Sequence, residues 1–299
     1  MLINGTLIDD TYAEAFRMYA ARLHVTALNE KWLRTAAQVV TGYGTSVIGC
    51  DAEAGIERWL TVEQTLDARP GVALLFFAFS LDALKKVIPK RVGQCLMTCP
   101  TVAVFDGLPD AADRAPMGKH LRYFGDGRQK SKWLAGKRYW RIPTMDGEFV
   151  CEESCGVMKA IAGGNLQIEA TDHATALAAA ERAVAAMETI PDVITPFPGG
   201  IVRCGSKVGS RYPGLQVSMN EVFAPTQRSR SKTLLHDGVN SVLEIVIDGL
   251  SEGSIRQAMK LGIQAAAGPG VIAISAGNFG GKLGKFQFPL CAILQERGL

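Results

Sequence analysis

The spacing of apolar residues predicts that strands and helices alternate through the first half of the chain. Helices are expected at 29–40, with Asn29 as the N-cap, and after the N-cap Ser80. Residues 13–22 also follow a helical pattern. Strands are expected at 23–27, 45–56, 72–79 and 101–107. The order strand, helix, strand, strand, helix, strand is that of the ferredoxin-like motif.

The second half of the chain repeats this order. Asp172 and Ser251 are candidate N-caps of two further helices. Strands are expected at 165–171, 199–206, 241–250 and 270–278, and the alternating stretch 285–294 reads as another. We therefore predict an α+β fold of two ferredoxin-like (βαββαβ) lobes related by duplication. The expected lobes span 1–150, with a basic insertion at about 108–149, and 151–299.

The composition is typical of a globular protein and argues against several other classes. Of the 299 residues, 47% are hydrophobic and 20% are charged. The longest apolar runs have about nine residues, whereas a membrane-spanning helix needs about 20. The N-terminus does not resemble a secretory signal, so we expect a cytoplasmic protein with no membrane partner. A net charge of +3 does not by itself indicate a nucleic-acid partner.

The seven cysteines do not have the spacing of a metal site. They include two CxxxC pairs, Cys95 with Cys99 and Cys151 with Cys155. Neither pair is followed by a second pair or by a histidine at zinc-finger spacing. Free thiols are therefore expected, and no bound metal.

The glycine-rich stretch Ser275–Phe286 reads SAGNFGGKLGKF and raises the question of a phosphate-binding loop. A Walker-type loop needs glycine five residues before its Gly-Lys and a hydroxyl residue after the lysine. Here those positions hold Ala276 and Leu283, and a dinucleotide fingerprint also fails on spacing. The remaining alternatives are a structural turn and a glycine-lined approach for an organic ligand.

A basic stretch at 128–141 alternates cations with aromatic residues. Its cations are Arg128, Lys130, Lys132, Lys137, Arg138 and Arg141. A solvated hairpin, a nucleic-acid surface and a docking surface for another polyanion are all compatible with this pattern.

Glu244 is the residue whose position is physically unusual. It lies within the apolar strand at 241–250 and shares a face with Val242, Val246 and Asp248. If that face is buried, the carboxylate is costly to ionise and is a candidate general base with a raised pKa. If the face is open, Glu244 is an ordinary solvated residue.

Seven collinear blocks resemble the formylmethanofuran:tetrahydromethanopterin formyltransferase family. They are INGTLIDDTYAEAF, TGYGTSVIGCDAEAGI, RPGV, RVGQCLMTCPTVAVFD, PFPGGIVRCGSKVGS, EIVIDGL and ISAGNFGGKLG. The resemblance implies two ferredoxin-like lobes and a homotetramer. It also implies formyl transfer between N5 of tetrahydromethanopterin and the amine of a methanofuran-type coenzyme, with no metal or prosthetic group.

Within the resemblance, the glutamate of the EIVIDGL block, Glu244, is the expected proton acceptor. The two coenzymes are expected to contact residues of two further blocks. These are Thr45, Ser46, Phe197, Gly199, Gly200, Ser206, Lys207 and Arg211.

The near-neutral charge and the basic stretch favour the bacterial, methylotroph branch of the family. Its members pass the formyl group to hydrolase partners within one complex. The alternative function is a non-catalytic scaffold or coenzyme-carrying subunit of such a complex.

Overall fold

The computed structural model describes residues 1–296 and has an α+β fold. The strands are Leu2–Ile3 (β1), Thr6–Ile8 (β2), Tyr12–Thr26 (β3), Glu53–Leu60 (β4), Gly71–Ala78 (β5), Ala103–Asp106 (β6), Asp113–Pro116 (β7), Lys130–Leu134 (β8), Lys137–Thr144 (β9), Gly147–Glu152 (β10), Ser154–Ala170 (β11), Val193–Ile194 (β12), Ser206–Val208 (β13), Val217–Met219 (β14), Ser241–Gly249 (β15), Val271–Ser275 (β16) and Phe286–Pro289 (β17). The α-helices are Glu30–Thr41 (α1), Leu81–Arg91 (α2), Gly118–Leu121 (α3), His173–Met187 (α4), Glu252–Ala266 (α5) and Leu290–Gln295 (α6).

The helix starts agree with the capping residues read from the sequence. The side chains of all four candidate N-caps accept a hydrogen bond from the first helical turn, and these are Asn29, Ser80, Asp172 and Ser251. Within residues 1–296, no helix is long and apolar enough to cross a membrane.

The chain folds into two compact units, and both boundaries between them fall inside long strands. One unit comprises Arg17–Ala160, and the other combines Met1–Phe16 with the chain from Ile161 onward. This division differs from the expected 1–150 and 151–299. The first 16 residues join the C-terminal unit because β2 pairs with β16 and the start of β3 pairs with β17.

In the 17–160 unit, four antiparallel strands lie in the order β4, β5, β3, β6. Helices α1 and α2 pack on β5 and enclose an apolar core around Phe76, Leu74 and Leu23. The prediction that 13–22 begins as a helix is wrong. Tyr19–Thr26 pairs with β5 along its whole length, and this pairing overrides the local helical pattern. The strand predicted at 45–56 begins only at Glu53.

In the other unit, four antiparallel strands lie in the order β12, β15, β11, β16. Helices α4 and α5 pack together over one face of this sheet, above Leu166, Ile168 and Ile245. Two predictions for this unit are wrong. The stretch 199–206 is mostly irregular. The second strand of the predicted motif is instead β12, which comes just before this stretch. The stretch 285–294 is a short strand followed by α6, because Pro289 ends the strand.

The glycine stretch 275–286 forms a loop that wraps around a carboxylate of the protein itself. The Glu14 side chain, 1% exposed, accepts hydrogen bonds from the backbone N–H groups of Phe279, Gly281, Leu283 and Gly284. Burial acts to raise the pKa of Glu14, but these donors outweigh it, so the pKa lies below its usual value. The loop is therefore an anion-binding turn whose anion is Glu14.

We expect Glu14→Gln to lower the free energy of unfolding by about 2–4 kcal/mol, because the amide removes the charge and turns an NH2 group toward backbone donors. Urea unfolding at neutral pH measures the change. Since the pKa is depressed in the folded state, the stabilisation is present above the unfolded pKa and is lost as the pH falls through the folded pKa.

Glu148→Gln is the matched control for this prediction, since Glu148 forms a surface ion pair with Arg141 at 2.5 Å. It should cost less than about 1 kcal/mol. Equal losses in the two variants would contradict the role assigned to Glu14.

Candidate active site

Strand β11 carries a row of polar side chains on the face turned away from α4 and α5. Asn165, Gln167 and Glu169 are all buried and alternate with Leu166 and Ile168, which pack in the core. In antiparallel register, Gln167 lies directly opposite Glu244 on β15 and directly opposite Ser275 on β16. Because directly paired residues point to the same face, these three polar side chains are neighbours on one surface.

Glu244 lies in the middle of β15 and is half-buried. Its backbone N–H and C=O pair with Val202, at 2.9 and 2.7 Å. Among residues 1–296, no group donates a hydrogen bond to its carboxylate or forms an ion pair with it. Desolvation by the surrounding protein raises the pKa of the Glu244 carboxyl to about 7. The face is partly buried, so Glu244 is not the fully solvated residue of the second alternative, and its desolvation is what a candidate general base requires.

Gln167 is a candidate site residue that the sequence analysis missed. Its side chain is 4% exposed, and its Oε1 has no hydrogen-bond partner in the described part of the chain. Leaving a buried polar atom without a hydrogen-bond partner costs free energy. The Gln167 Oε1 atom is therefore a candidate to accept a hydrogen bond from a bound substrate. The polar alternation Asn165, Gln167, Glu169 was visible in the sequence and could have indicated this face.

The glycine loop begins beside this row of side chains. Gly277 donates its N–H to Asn165 Oδ1 at 2.6 Å and accepts from Asn165 Nδ2 at 3.1 Å. A Cβ atom at Gly277 would lie 3.4 Å from the Gln167 amide nitrogen. Asn165 and Glu14 together hold the loop next to Gln167. The glycine-rich stretch is therefore a structural turn that lies beside the candidate site.

The predicted residues Phe197, Gly199 and Gly200 form a tight turn that leads directly to Glu244. Both glycines have positive φ angles, +61° and +77°. A Cβ at Gly200 would lie 2.6 Å from Thr195 Oγ1, so only glycine fits there without a shift. Two residues later, Val202 forms its bridge with Glu244. The structure thus brings these residues to the edge of β15. They form a turn there and not the strand that the sequence predicted.

Ser206, Lys207 and Arg211 belong to the hairpin that follows this turn. Ser206 and Lys207 lie on β13, which pairs with β14, and Arg211 is exposed in the connection. Lys207 forms an ion pair with Glu221 and, as the main cause, lowers the pKa of that carboxyl. The Lys207 charge is therefore already engaged by the protein.

Thr45 and Ser46 lie in the 17–160 unit, in the irregular segment between α1 and β4. Both side chains are half-buried. The Ser46 carbonyl accepts the N–H groups of Gly49 and Cys50, so this residue organises a turn. The segment offers hydroxyl groups but is not the strand that the sequence predicted.

The basic stretch 128–141 forms most of the hairpin β8–β9, with its turn at Ala135 and Gly136. Four of its cations pair with nearby carboxylates: Arg128 with Asp126, Lys137 with Glu152, Arg138 with Glu153 and Arg141 with Glu148. Trp140 is buried with the Arg138 guanidinium 4.3 Å from its ring centroid. Much of this positive charge is therefore used within the hairpin.

We expect Glu244→Gln to stabilise the chain above pH 7 by up to about 3 kcal/mol. The folded carboxyl holds its proton until about pH 7, whereas the unfolded carboxyl ionises near 4.5. Wild-type stability should therefore fall as the pH rises between these values, and the amide removes this loss. Urea unfolding at several pH values measures the difference.

Glu181→Gln, on the exposed face of α4, is the matched control and should follow the wild-type pH dependence. A Glu244→Gln curve parallel to the wild type would show that Glu244 is not desolvated.

Two family models together cover nearly the whole chain. The model described as formylmethanofuran-tetrahydromethanopterin formyltransferase matches residues 1–144, and the model of its proximal lobe matches residues 147–293. A curated relative from Methylococcus capsulatus, named formylmethanofuran–tetrahydromethanopterin formyltransferase, is 54% identical over 298 residues, which is 98% of this chain and 100% of the relative.

Two solved structures are also similar to this chain over nearly their full length. The formyltransferase of the same name from Methanosarcina barkeri has a TM-score of 0.94 and 47% identity, covering 98% of this chain and 100% of that chain. A chain of the formyltransferase/hydrolase complex from Methylorubrum extorquens, crystallised with methylofuran, has a TM-score of 0.96 and 44% identity, covering 99% of each chain. The chain therefore belongs to the formylmethanofuran–tetrahydromethanopterin formyltransferase family.

Proposed function

We propose that this formyltransferase moves the formyl group between N5 of tetrahydromethanopterin and the primary amine of a methanofuran-type coenzyme, with Glu244 as the proton carrier. One observation carries this proposal. Desolvation raises the pKa of the Glu244 carboxyl to about 7. No group of the described chain donates a hydrogen bond to this carboxyl or forms an ion pair with it. A general base works best when its pKa is near the working pH.

The proposed reaction requires one proton to move and no net change in charge. The furan amine attacks the formyl carbon, and Glu244 takes the amine proton as the new C–N bond forms. The tetrahedral oxyanion then collapses, the bond to N5 of the pterin breaks, and protonated Glu244 returns the proton to N5. The same carboxyl is base and then acid, which a pKa near 7 permits in both directions.

The neighbours of Glu244 are proposed to orient the reactants. The buried Gln167 amide lies opposite the base, and its unpartnered Oε1 is suited to accept the second N–H of the attacking amine. The turn containing Phe197, Gly199 and Gly200 offers close backbone approach for a planar ring. Holding two large coenzymes together supplies much of the rate enhancement in such transfers.

The remaining predicted residues are proposed as contacts to the polar parts of the coenzymes. Ser206 and Arg211 are exposed on and after β13, and Thr45 and Ser46 carry hydroxyl groups in the other unit. Lys207 is assigned a weaker role, because Glu221 already pairs with its ammonium group.

The architecture of each unit supports the proposal of two ferredoxin-like lobes related by duplication. Both units have the succession βαββαβ, built from β3 to β6 with α1 and α2, and from β11 to β16 with α4 and α5. Numbering the four core strands of each motif in chain order gives the same sheet order, 2-3-1-4. A shared order of elements and strands is what duplication of one motif produces.

We further propose that the chain works as one component of a larger assembly. The curated relative from Methylorubrum extorquens is named as a component of a formyltransferase/hydrolase complex, and it is 45% identical over 304 residues. A hydrolase partner would remove the formyl group from the furan coenzyme and draw the transfer in that direction. A homotetramer is the arrangement that the family resemblance implies.

We expect Glu244→Gln to lower kcat by between about a hundredfold and ten-thousandfold, with little change in KM, because it removes a proton carrier and not a binding surface. The wild-type kcat in the direction of amine attack should rise as the pH passes through about 7, since only the ionised carboxylate is a base. A spectroscopic formyl-transfer assay measures both.

Glu181→Gln again serves as the control and should leave kcat and the pH profile unchanged. Full transfer activity in Glu244→Gln would exclude Glu244 as the base. A wild-type chain that binds both coenzymes and transfers nothing, alone or with partner subunits, would favour the scaffold alternative.

We expect removal of four charges from the hairpin, by replacing Lys130, Lys132, Lys137 and Arg138 with glutamine, to weaken binding of the furan coenzyme and to flatten its salt dependence. The physical reason is loss of attraction for a polyanionic tail. Isothermal titration at low and high salt measures this.

A matched control removes the same charge from the region of α2 and α3, at Lys85, Lys86, Lys90 and Lys119. Unchanged affinity in the hairpin variant would show that the stretch is only a structural hairpin. A salt-dependent shift with a generic RNA strand would instead support the nucleic-acid alternative.

A further inference from the structure

Three metal-ligating side chains meet in the 161-onward unit, outside the machinery assigned to formyl transfer. Asp9 follows β2, Glu169 is on β11, and His236 lies in the loop before β15. One carboxylate oxygen from each acid and one ring nitrogen of His236 all lie within 4.8 Å of one another. The His236 Nε2 atom is 3.0 Å from Asp9 Oδ1.

Glu169 provides a second, independent observation that points to a ligand at this cluster. Its side chain is fully buried, at 0% exposure, and its Oε1 has no hydrogen-bond partner within residues 1–296. Its other oxygen accepts the backbone N–H of His236 at 3.2 Å. Burying a carboxylate oxygen without a donor or cation is strongly unfavourable.

The guanidinium of Arg228 is the nearby positive charge, but it is not the partner of Glu169 Oε1. Arg228 donates to the backbone carbonyls of His236 and Val239, at 3.3 and 2.8 Å, and not to either carboxylate. Its guanidinium therefore fixes the loop that carries His236. This leaves the two acids with one imidazole between them as a preformed group of three ligands.

We propose that Asp9, Glu169 and His236 bind a first-row divalent cation such as Zn²⁺. One imidazole nitrogen with two carboxylates matches the ligands of this class, whereas Mg²⁺ and Ca²⁺ favour sets made of oxygen alone. Three protein ligands leave a fourth position of a tetrahedral site for water.

The cation would join three separate segments of one unit. Asp9 follows the strand β2 that pairs with β16, and Glu169 is on the same face as Gln167, two residues along β11. His236 lies at the end of the long connection that contains β13 and β14 and leads into β15. Binding would therefore hold this connection, which includes Ser206 and Lys207, against the sheet that carries Glu244. The site takes no part in the transfer chemistry.

The test uses Co²⁺ with the full chain, after treatment with a chelator and its removal. Equilibrium dialysis gives the stoichiometry, and the absorption spectrum separates nitrogen and oxygen ligation from thiolate ligation, which produces intense charge-transfer bands. We expect one Co²⁺ per chain without thiolate bands. Asp9→Asn and Glu169→Gln should each weaken binding by at least about tenfold.

Asp10→Asn is the matched control, because Asp10 is exposed and adjacent to Asp9. It should bind Co²⁺ as the wild type does. Zn²⁺ should raise the Tm of the wild type and of Asp10→Asn but not of Asp9→Asn. Absence of binding, thiolate bands alone, or equal binding in Asp9→Asn and Glu169→Gln would overturn the proposal.

Discussion

The two-residue alternation of strand β11 is the constraint on which the site depends. Leu166 and Ile168 must face α4 and α5 to build the core of their unit, so Asn165, Gln167 and Glu169 must face the other way. All three have a fixed partner on β15, and Gln167 and Glu169 also have one on β16. A register shift of one residue would turn the apolar residues away from the core and bring the polar residues into it.

Each polar residue of that face has a different task in our interpretation. Asn165 binds both backbone groups of Gly277 and so fixes the start of the glycine loop. Gln167 stands opposite Glu244 with an unpartnered amide oxygen. Glu169 contributes a buried carboxylate to the cluster with Asp9 and His236. One strand therefore organises a loop, a proposed catalytic pair and a proposed cation site.

Two carboxyl groups of the same unit show how surroundings determine the chemistry of one functional group. Glu14 is buried but receives four backbone donors, and its pKa is lowered, so it is a fixed anion that organises a loop. Glu244 receives no donor from the described chain, and desolvation raises its pKa to about 7. The first arrangement stabilises the fold, whereas the second lowers stability above neutral pH and gives a carboxyl that can exchange its proton.

The sequence by itself determined the features that depend on neighbours along the chain. The caps Asn29, Ser80, Asp172 and Ser251, the apolar strand at Gly71–Ala78 and the position of Glu244 within a strand all follow from local pattern. The family followed from seven short blocks, because their residues are unusual enough to identify it. Local pattern was misleading at 13–22 and 199–206, where pairing between distant strands and a glycine turn decide the backbone.

Only the tertiary structure decided which distant residues meet. The spacing of the glycines in 275–286 excluded a nucleotide loop, but it could not show that Glu14, more than 260 residues away, is the anion that the loop binds. The position of Glu244 suggested a base, but the absence of donors from residues 1–296 depends on strands and turns far apart in sequence. Hydrogen bonds and desolvation act over a few ångströms in space, whereas sequence pattern records only periodicity along one chain.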